Sequence, residues 1–437
     1  MILNAYRAAL KNPSFKQRVG SLYQISGLSI QSQGPDCEIG ELCVIESADQ
    51  ADKFSLTAEV VGVDRGRVTL MPYGGTRGIS TGARVIAKGS KSDIAVSANL
   101  LGRVIDGFGI PLDAMPAPLC SETRPLRATP LNPLKRPRIE HILETGVRSI
   151  DSLLTIGKGQ RVGIFAGSGV GKSTLLGMIT RHVKADVNVI ALIGERGREV
   201  REFIEQHLAG SGLERSVVVV ATSDQPALSR LRATNAAMAI AEYFRDQGKH
   251  VLLTMDSVTR FAMARREVGL VAGEPPTARG YTPSVFAEIP ELCERCGTAE
   301  NGGSITGLFT VLVDGDDFNE PISDCLRATL DGHIVLTREL AHQGQYPAID
   351  VTQSVSRVMP DLVSKSDREC AQELLKCIAI LDRNRAMVDM GAYEKGSNPA
   401  LDYALSIDQS MKEFLMQSDG GTARSEAIYQ LMTLLRK

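Results

Sequence analysis

A multidomain α/β fold is predicted by three features met in order along the 437 residues. Short apolar runs broken by Gly, Asp and Pro come first, apolar strands alternating with helical patterns follow, and the chain past Pro360 is helical. The length exceeds what one hydrophobic core organises, so several domains are expected. We place a basic segment at residues 1–18, a β domain at 19–91, an α/β domain at 92–361 and an all-helical domain at 362–437.

In the first segment Ile2, Leu3, Tyr6, Ala9 and Leu10 share a helical face, and Arg7, Lys11, Lys16 and Arg18 all precede the first acidic residue, Asp36. That pattern suits docking on an acidic partner or a membrane surface, with a solvated helix as the alternative. From Val19 to Lys88 the runs "SLYQISGLSI", "LCVIES", "TAEVVGV", "RVTLMPYG" and "ARVIAKG" predict a small barrel or sandwich. The stretch from Met115 to Arg138 carries six prolines and predicts an irregular surface connector, whose basic end, Lys135, Arg136 and Arg138, is expected on a solvated or intersubunit face. Beyond it, "RVGIFA", "VNVIALIG", "SVVVVAT", "HVLLTMD", "SITGLFTVLV" and "HIVLTREL" are continuous Val/Ile/Leu runs separated by helices, the pattern of a mostly parallel sheet covered on both faces. Two helical stretches around the break "EKGSNPA" complete the chain.

Composition narrows the function. A formal charge of -2 provides no basic field, so no nucleic-acid partner is expected. No apolar run is long enough to span a bilayer and no signal peptide follows Met1, so a cytosolic location is expected. The eight cysteines are scattered and predict reduced thiols; Cys293 and Cys296 form a C-x-x-C without a second ligand pair at zinc spacing.

The chemistry gathers in the central domain. "AGSGVGKST" directly follows the strand "RVGIFA" and matches the phosphate loop, with Ala166 in place of its first glycine. Gly167, Ser168, Gly169, Val170 and Gly171 are the candidate cradle, in which glycine lets successive N–H groups turn toward phosphate oxygens. Lys172 then reaches the terminal phosphates, Ser173 holds magnesium, and Thr174 continues the positive end of the following helix as a further nucleotide contact. The strand "HVLLTMD" delivers Asp256 to the same edge, suited to a magnesium-linked water. Glu195, in "GERGREV", stands where it can orient and deprotonate the attacking water; Arg196 and Arg198 beside it suit a phosphate or a subunit contact, or a surface ion-pair network. ATP with magnesium is the expected cofactor set.

As a set, "AGSGVGKST", "LIGERGREV", "MDSVTRFA", "GEPPTARGYTPSVF", "VDGDDFNEPISD", "LDGHIVL" and "YPAIDVTQSVSR" resemble the type III export ATPases that serve the flagellum and the virulence injectisome. The resemblance runs from "GELCVIE" to "MGAYEKGSNPALDYAL", in order and at matching separations. It implies a relative of the rotary ATP synthase catalytic subunit, with an N-terminal β-barrel, a RecA-like P-loop NTPase domain and a helical C-terminal domain, assembled as a homohexamer. It further implies Mg-ATP hydrolysis that releases chaperones, unfolds substrates and feeds them to an export gate. The implied partners are a stator dimer, a coiled-coil central stalk and chaperone–substrate complexes, at the cytoplasmic face of the inner membrane. By the same resemblance Arg357 is a finger inserted into the neighbouring subunit's site, Tyr346 stacks on adenine, and the loop Gly273 to Phe286 sits near the ring's pore, where Arg279 and Tyr281 meet a stalk or substrate or brace subunits.

Two departures stand out: Gly307 and Leu308 where relatives carry Ala and an aromatic, and cysteines in the helix before Gly297 where relatives carry aliphatic or small residues. A synthase catalytic subunit would bring an acidic segment absent from Leu362 to Lys437. An RNA translocase would bring an aromatic-studded barrel, and residues 19–88 hold only Tyr23, Phe54 and Tyr73. In a non-hydrolysing scaffold subunit a glutamine would replace Glu195.

Overall fold

The computed structural model describes residues 17–436 apart from 48–53, 90, 91, 209, 314, 316, 319 and 419, so the expected basic anchor lies outside the described residues except for its last two. Six strands, β1 (Val19–Ser26), β2 (Ser29–Gln33), β3 (Leu42–Glu46), β4 (Ser55–Asp64), β5 (Arg67–Pro72) and β6 (Arg84–Ala87), close a barrel in the order β1-β2-β5-β4-β3-β6. "SLYQISGLSI", one run in the sequence, is a hairpin: Ser26 pairs with Ser29 across a turn in which Gly27 takes φ 59. Alternation puts Leu22, Ile30, Ile45, Val60, Leu70 and Val85 inside. Arg18 is tied to the barrel domain, its guanidinium bonding Glu41 and the Asp36 carbonyl.

The Pro-rich connector is more ordered than its composition suggests. Glu122–Pro125 pairs antiparallel with Asp93–Val96, and Arg136 bonds the Glu294 carboxylate and carbonyl instead of facing solvent. The central sheet runs through β7 (Arg103–Ile105), β8 (Arg161–Ala166), β9 (Val187–Ile193), β10 (Ser216–Ala221), β11 (His250–Asp256), β12 (Ser304–Leu312), β13 (Gly332–Leu336) and β14 (Ile349–Ser356). Its order is β14-β13-β8-β12-β11-β9-β10-β7, parallel throughout except for β14, which runs antiparallel along β13. Such a sheet must be covered on both faces. Helices α2 (Ala227–Asp246), α3 (Val258–Val271) and α4 (Pro283–Glu294) cover one, and α1 (Lys172–His182) with the C-terminal helices covers the other.

Two glycines in adjacent strands make room for aromatic rings. A Cβ on Gly163 would come within 2.5 Å of the Phe165 ring, and one on Gly307 within 2.5 Å of the Phe309 ring and 3.1 Å of the Cys296 sulfur. Both departures from the family pattern thus meet at one place: the missing methyl of Gly307 is filled by Phe309 and Cys296. Cys293 and Cys296 are buried free thiols, and burial pushes Cys296 up to about 12.

The C-terminal helices are α5 (Lys365–Asp389), α6 (Pro399–Leu415) and α7 (Arg424–Leu435). Ser364 caps α5, and Asn398 caps α6 with Pro399 at its first position, which is how "SNPA" starts a helix. Met411, Phe414 and Leu431 join one continuous apolar cluster with Ile164, Leu175 and Ile190 of the central domain. Arg148 fastens this junction, donating to Gln430 Oε1 and to the Glu413 and Met416 carbonyls, with its guanidinium over Phe414 at 5.3 Å. A cleft of about 610 Å³ opens between barrel and central domain, walled by groups such as Glu59, Tyr73, Leu231, Arg232, Arg265 and Val268; no candidate site residue lines it.

Candidate active site

The site forms at the carboxyl ends of four neighbouring parallel strands, β8, β12, β11 and β9. After β8, Val170 is buried and pins the loop, while Ser168 and Gly169 are exposed at its crest. Gly169 (φ 80) and Gly171 (φ 89) hold left-handed conformations that side-chain-bearing residues rarely adopt. Gly171 is the cap of α1, so the N–H groups of Lys172, Ser173 and Thr174 open the helix without intrahelical partners, next to the exposed Ser173 and Thr174 side chains.

Lys172 turns its ammonium onto two carboxylates. Nζ lies 2.5 Å from Asp256 Oδ1 and 3.5 Å from Glu195 Oε1. Asp256 ends β11 and is buried; Thr310, from the adjacent β12, donates to the same Oδ1 at 2.7 Å. Both recorded bonds therefore fall on Oδ1, and Oδ2 has no protein donor among the described residues. Glu195 follows β9 through Gly194, whose φ of 70 and lack of a side chain let the Arg260 stem pass where a Cβ would sit 2.8 Å away. Burial opposes the charge on Lys172, but Asp256 first and Glu195 second hold its pKa above the ordinary value. Glu195 is pushed up to about 7, chiefly by burial and secondarily by the like charge of Asp256, against the pull of Lys172.

Tyr346 and Arg357 flank β14 at opposite edges of the sheet. The Tyr346 ring packs against the phosphate loop, two of its carbons 3.4 Å from where a Gly171 Cβ would lie, and it remains 44% exposed, with a free face. Arg357 lies just past Ser356, which pairs with Gly332, and Gly332 pairs in turn with Val162 at the start of β8. The strand from Arg161 to Ala166 separates it from its own phosphate loop by about 16 Å, beyond an arginine's reach. Its guanidinium is exposed and, among the described residues, donates to the Arg327 carbonyl.

The structure bears on the alternatives left open for four surrounding residues. Tyr281 is buried, with its hydroxyl on Glu320, so it braces its own chain rather than meeting a partner. Arg279 stays exposed, in an ion pair with Asp317. Arg196 and Arg198 point to solvent and pair along their own helix with Glu199 and Glu202. Arg260 was missed altogether: it lies one turn after Asp256, against Gly194, with its Nε buried and unpartnered. Its position four residues beyond the strand-ending aspartate was the available signal.

A phosphate loop on a parallel sheet, with a carboxylate at the next strand ends and a helical domain sharing its core, defines the nucleotide-binding class of the rotary ATPases. Residues 22–89 match the ATP synthase alpha/beta family β-barrel domain, residues 146–356 its nucleotide-binding domain, and residues 363–433 the type III secretion system EscN ATPase C-terminal domain. The flagellum-specific ATP synthase of Bacillus subtilis strain 168 is 51% identical over 419 residues, 96% of this chain and 95% of the relative. The type 3 secretion system ATPase of Xanthomonas euvesicatoria is 46% identical over 417 residues, 95% of this chain and 94% of the relative. The assembled ATPase EscN of enteropathogenic E. coli superposes with a TM-score of 0.90 at 45% identity, over 95% of this chain and all of that one. The chain belongs to the flagellar and type III export ATPase family, related to the ATP synthase catalytic subunits, and its activity is the ATP hydrolysis that powers such export.

Proposed function

We propose that the site hydrolyses Mg-ATP with its own Lys172, Glu195 and Asp256 and with Arg357 supplied by the adjacent copy in a homohexameric ring. The observation that carries this reading is the convergence of the Lys172 ammonium with Asp256 and Glu195 at the mouth of the phosphate loop. Glycine N–H groups and the first turn of α1 hold the phosphates, and Lys172 exchanges carboxylate partners for phosphate oxygens when nucleotide enters. The donor set fits magnesium: Ser173 is exposed at the helix start and Asp256 keeps Oδ2 free, so these two residues hold it, directly or through water. Magnesium there supplies neutralisation of the phosphate charge. Glu195, half-buried with a pKa near 7, takes the proton of the attacking water. The Arg260 stem packs against Gly194 and so shapes the turn that carries Glu195, and Tyr346 receives the adenine on its exposed ring.

Arg357 serves a neighbour because it cannot serve its own chain. Head-to-tail contact in a closed ring brings that edge of one copy to the next copy's phosphate loop. The relative EscN was solved both assembled and in complex with its central stalk EscO, and a comparable stalk is proposed here. The remaining partners of the reading are a stator dimer on the basic N-terminal segment, chaperone–substrate complexes and an export gate, at the cytoplasmic face of the inner membrane. Among the described residues no helix is long and apolar enough to cross a membrane. Relatives from both the flagellar and the secretion branches match at similar identity, so the reading concerns the chemistry they share.

The test is steady-state ATPase activity of wild type, Glu195→Gln, Arg357→Ala and an equimolar mixture of the two variants, across protein concentrations. Each variant alone should lose about a thousandfold, and the mixture should recover activity wherever an intact Glu195 meets an intact Arg357. Normal hydrolysis by Arg357→Ala, or an inactive mixture of variants that assemble normally, would sink the trans assignment.

A further inference from the structure

The turn between α6 and α7 is tied to the Tyr346 segment by one residue, Gln417, which is 8% exposed. Its backbone N–H donates to the Tyr346 carbonyl at 2.8 Å. Its side chain fixes that N–H in place: Oε1 accepts from the Arg148 N–H at 2.8 Å, and Nε2 donates to the Gly146 carbonyl at 2.9 Å and the Gly420 carbonyl at 2.6 Å. The helix Arg148–Leu153 has no side-chain cap of its own, so the amide of Gln417 satisfies its first N–H from another part of the chain.

The turn has no room to slide. A Cβ on Gly146 would fall 2.4 Å from the His182 Cβ, and one on Gly421 would fall 2.6 Å from the His182 ring; Thr422 N–H adds a second bond to the Gly146 carbonyl at 3.0 Å. From that seat a short path of contacts leads to the nucleotide loop: Gln417 holds the Tyr346 backbone, and the Tyr346 ring lies against Gly171.

We propose that Gln417 is a positioning residue for nucleotide binding: it sets the base platform of Tyr346 and so makes affinity for the base depend on the seating of the helical domain. This rests on the reading that Tyr346 receives adenine. Gln417 touches no phosphate, so its effect belongs to binding of the base and reaches the site only through Tyr346. Reciprocity requires that a bound nucleotide in turn tighten the seat of the α6–α7 turn.

The experiment is a double-mutant cycle on full-length protein, reading the dissociation constant of Mg-ADP for wild type, Gln417→Met, Tyr346→Ala and the double variant. Gln417→Met keeps the length of the side chain and removes its three bonds. It should weaken Mg-ADP about fivefold alone and less than about twofold in the Tyr346→Ala background, because the two residues act on one path. Gln417→Glu keeps shape and the Arg148 bond but sets an acceptor against two carbonyls, so its loss should match or exceed that of Gln417→Met. Equal losses in both backgrounds, no loss at all, or wild-type affinity in Gln417→Glu would overturn the proposal. Wild-type affinity in Tyr346→Ala is a different failure: the base platform itself is then misassigned, and the relay falls with it. Melting curves run alongside, and should Gln417→Met not fold, Gln417→Glu carries the same cycle.

Discussion

The role proposed for Glu195 rests on a carboxyl pushed up to about 7, and that shift has separable causes. Burial comes first, Asp256 adds like charge, and Glu199 adds a hydrogen bond and further like charge. A general base must be ionised, so kcat/KM should fall as pH drops below about 7 and reach a plateau above it, with a slope of about tenfold per pH unit on the acid side. Glu199→Gln removes two raising influences, and the acid limb should move to lower pH; a limb that stays in place would detach Glu199 from the base. At this scale the sequence was most legible where chemistry forces local pattern. Lys172 and Asp256 each follow an apolar strand, and the spacing of the loop admits few alternatives. Arg260 and Tyr281 were not legible, because their roles rest on what packs against them: Gly194 against one, Glu320 against the other.

The paired glycine–phenylalanine arrangement of β8 and β12 is the element-level signature of this chain. Gly307→Ala sets a methyl 2.5 Å from the Phe309 ring in a strand buried on both faces. Overpacking of this kind should lower unfolding free energy by about 1–3 kcal/mol, read as a shift of the denaturant midpoint at constant m. Adding Cys296→Ala should return part of the loss, since the Cys296 sulfur is the other close neighbour. The inner strands were readable as continuous apolar runs. β14 was not, because it is an edge strand whose outer half is polar, with Asp350 bonding the N–H groups of Thr352 and Gln353 along its own backbone. The hairpin at Gly27 was lost for a simpler reason: both of its strands alternate in phase, and one glycine is weak punctuation.

At the scale of the whole molecule, stability and function meet at the junction of the helical and central domains. Arg148→Ala removes bonds to Gln430, Glu413 and Met416 along with the contact to Phe414, and should cost about 2 kcal/mol; because the apolar cluster is continuous across the junction, unfolding should remain one transition. A separate early transition of the helical domain would contradict that continuity. Three regions were legible in the sequence as barrel or sandwich, sheet domain and helical tail. What joins them was not, since Arg136 finds Glu294 158 positions away and Arg148 finds Gln430 282 positions away. β14 adds a further property to an assembled ring. Tyr346, just before this eight-residue strand, abuts the chain's own nucleotide loop, and Arg357, just after it, is the residue proposed to enter the next copy's site. One short strand links both edges, and its two ends are chemically different. On the proposed assignments of Tyr346 and Arg357, an occupied site is felt in one direction around the circle, and six otherwise identical subunits acquire a sense of clockwise and counter-clockwise.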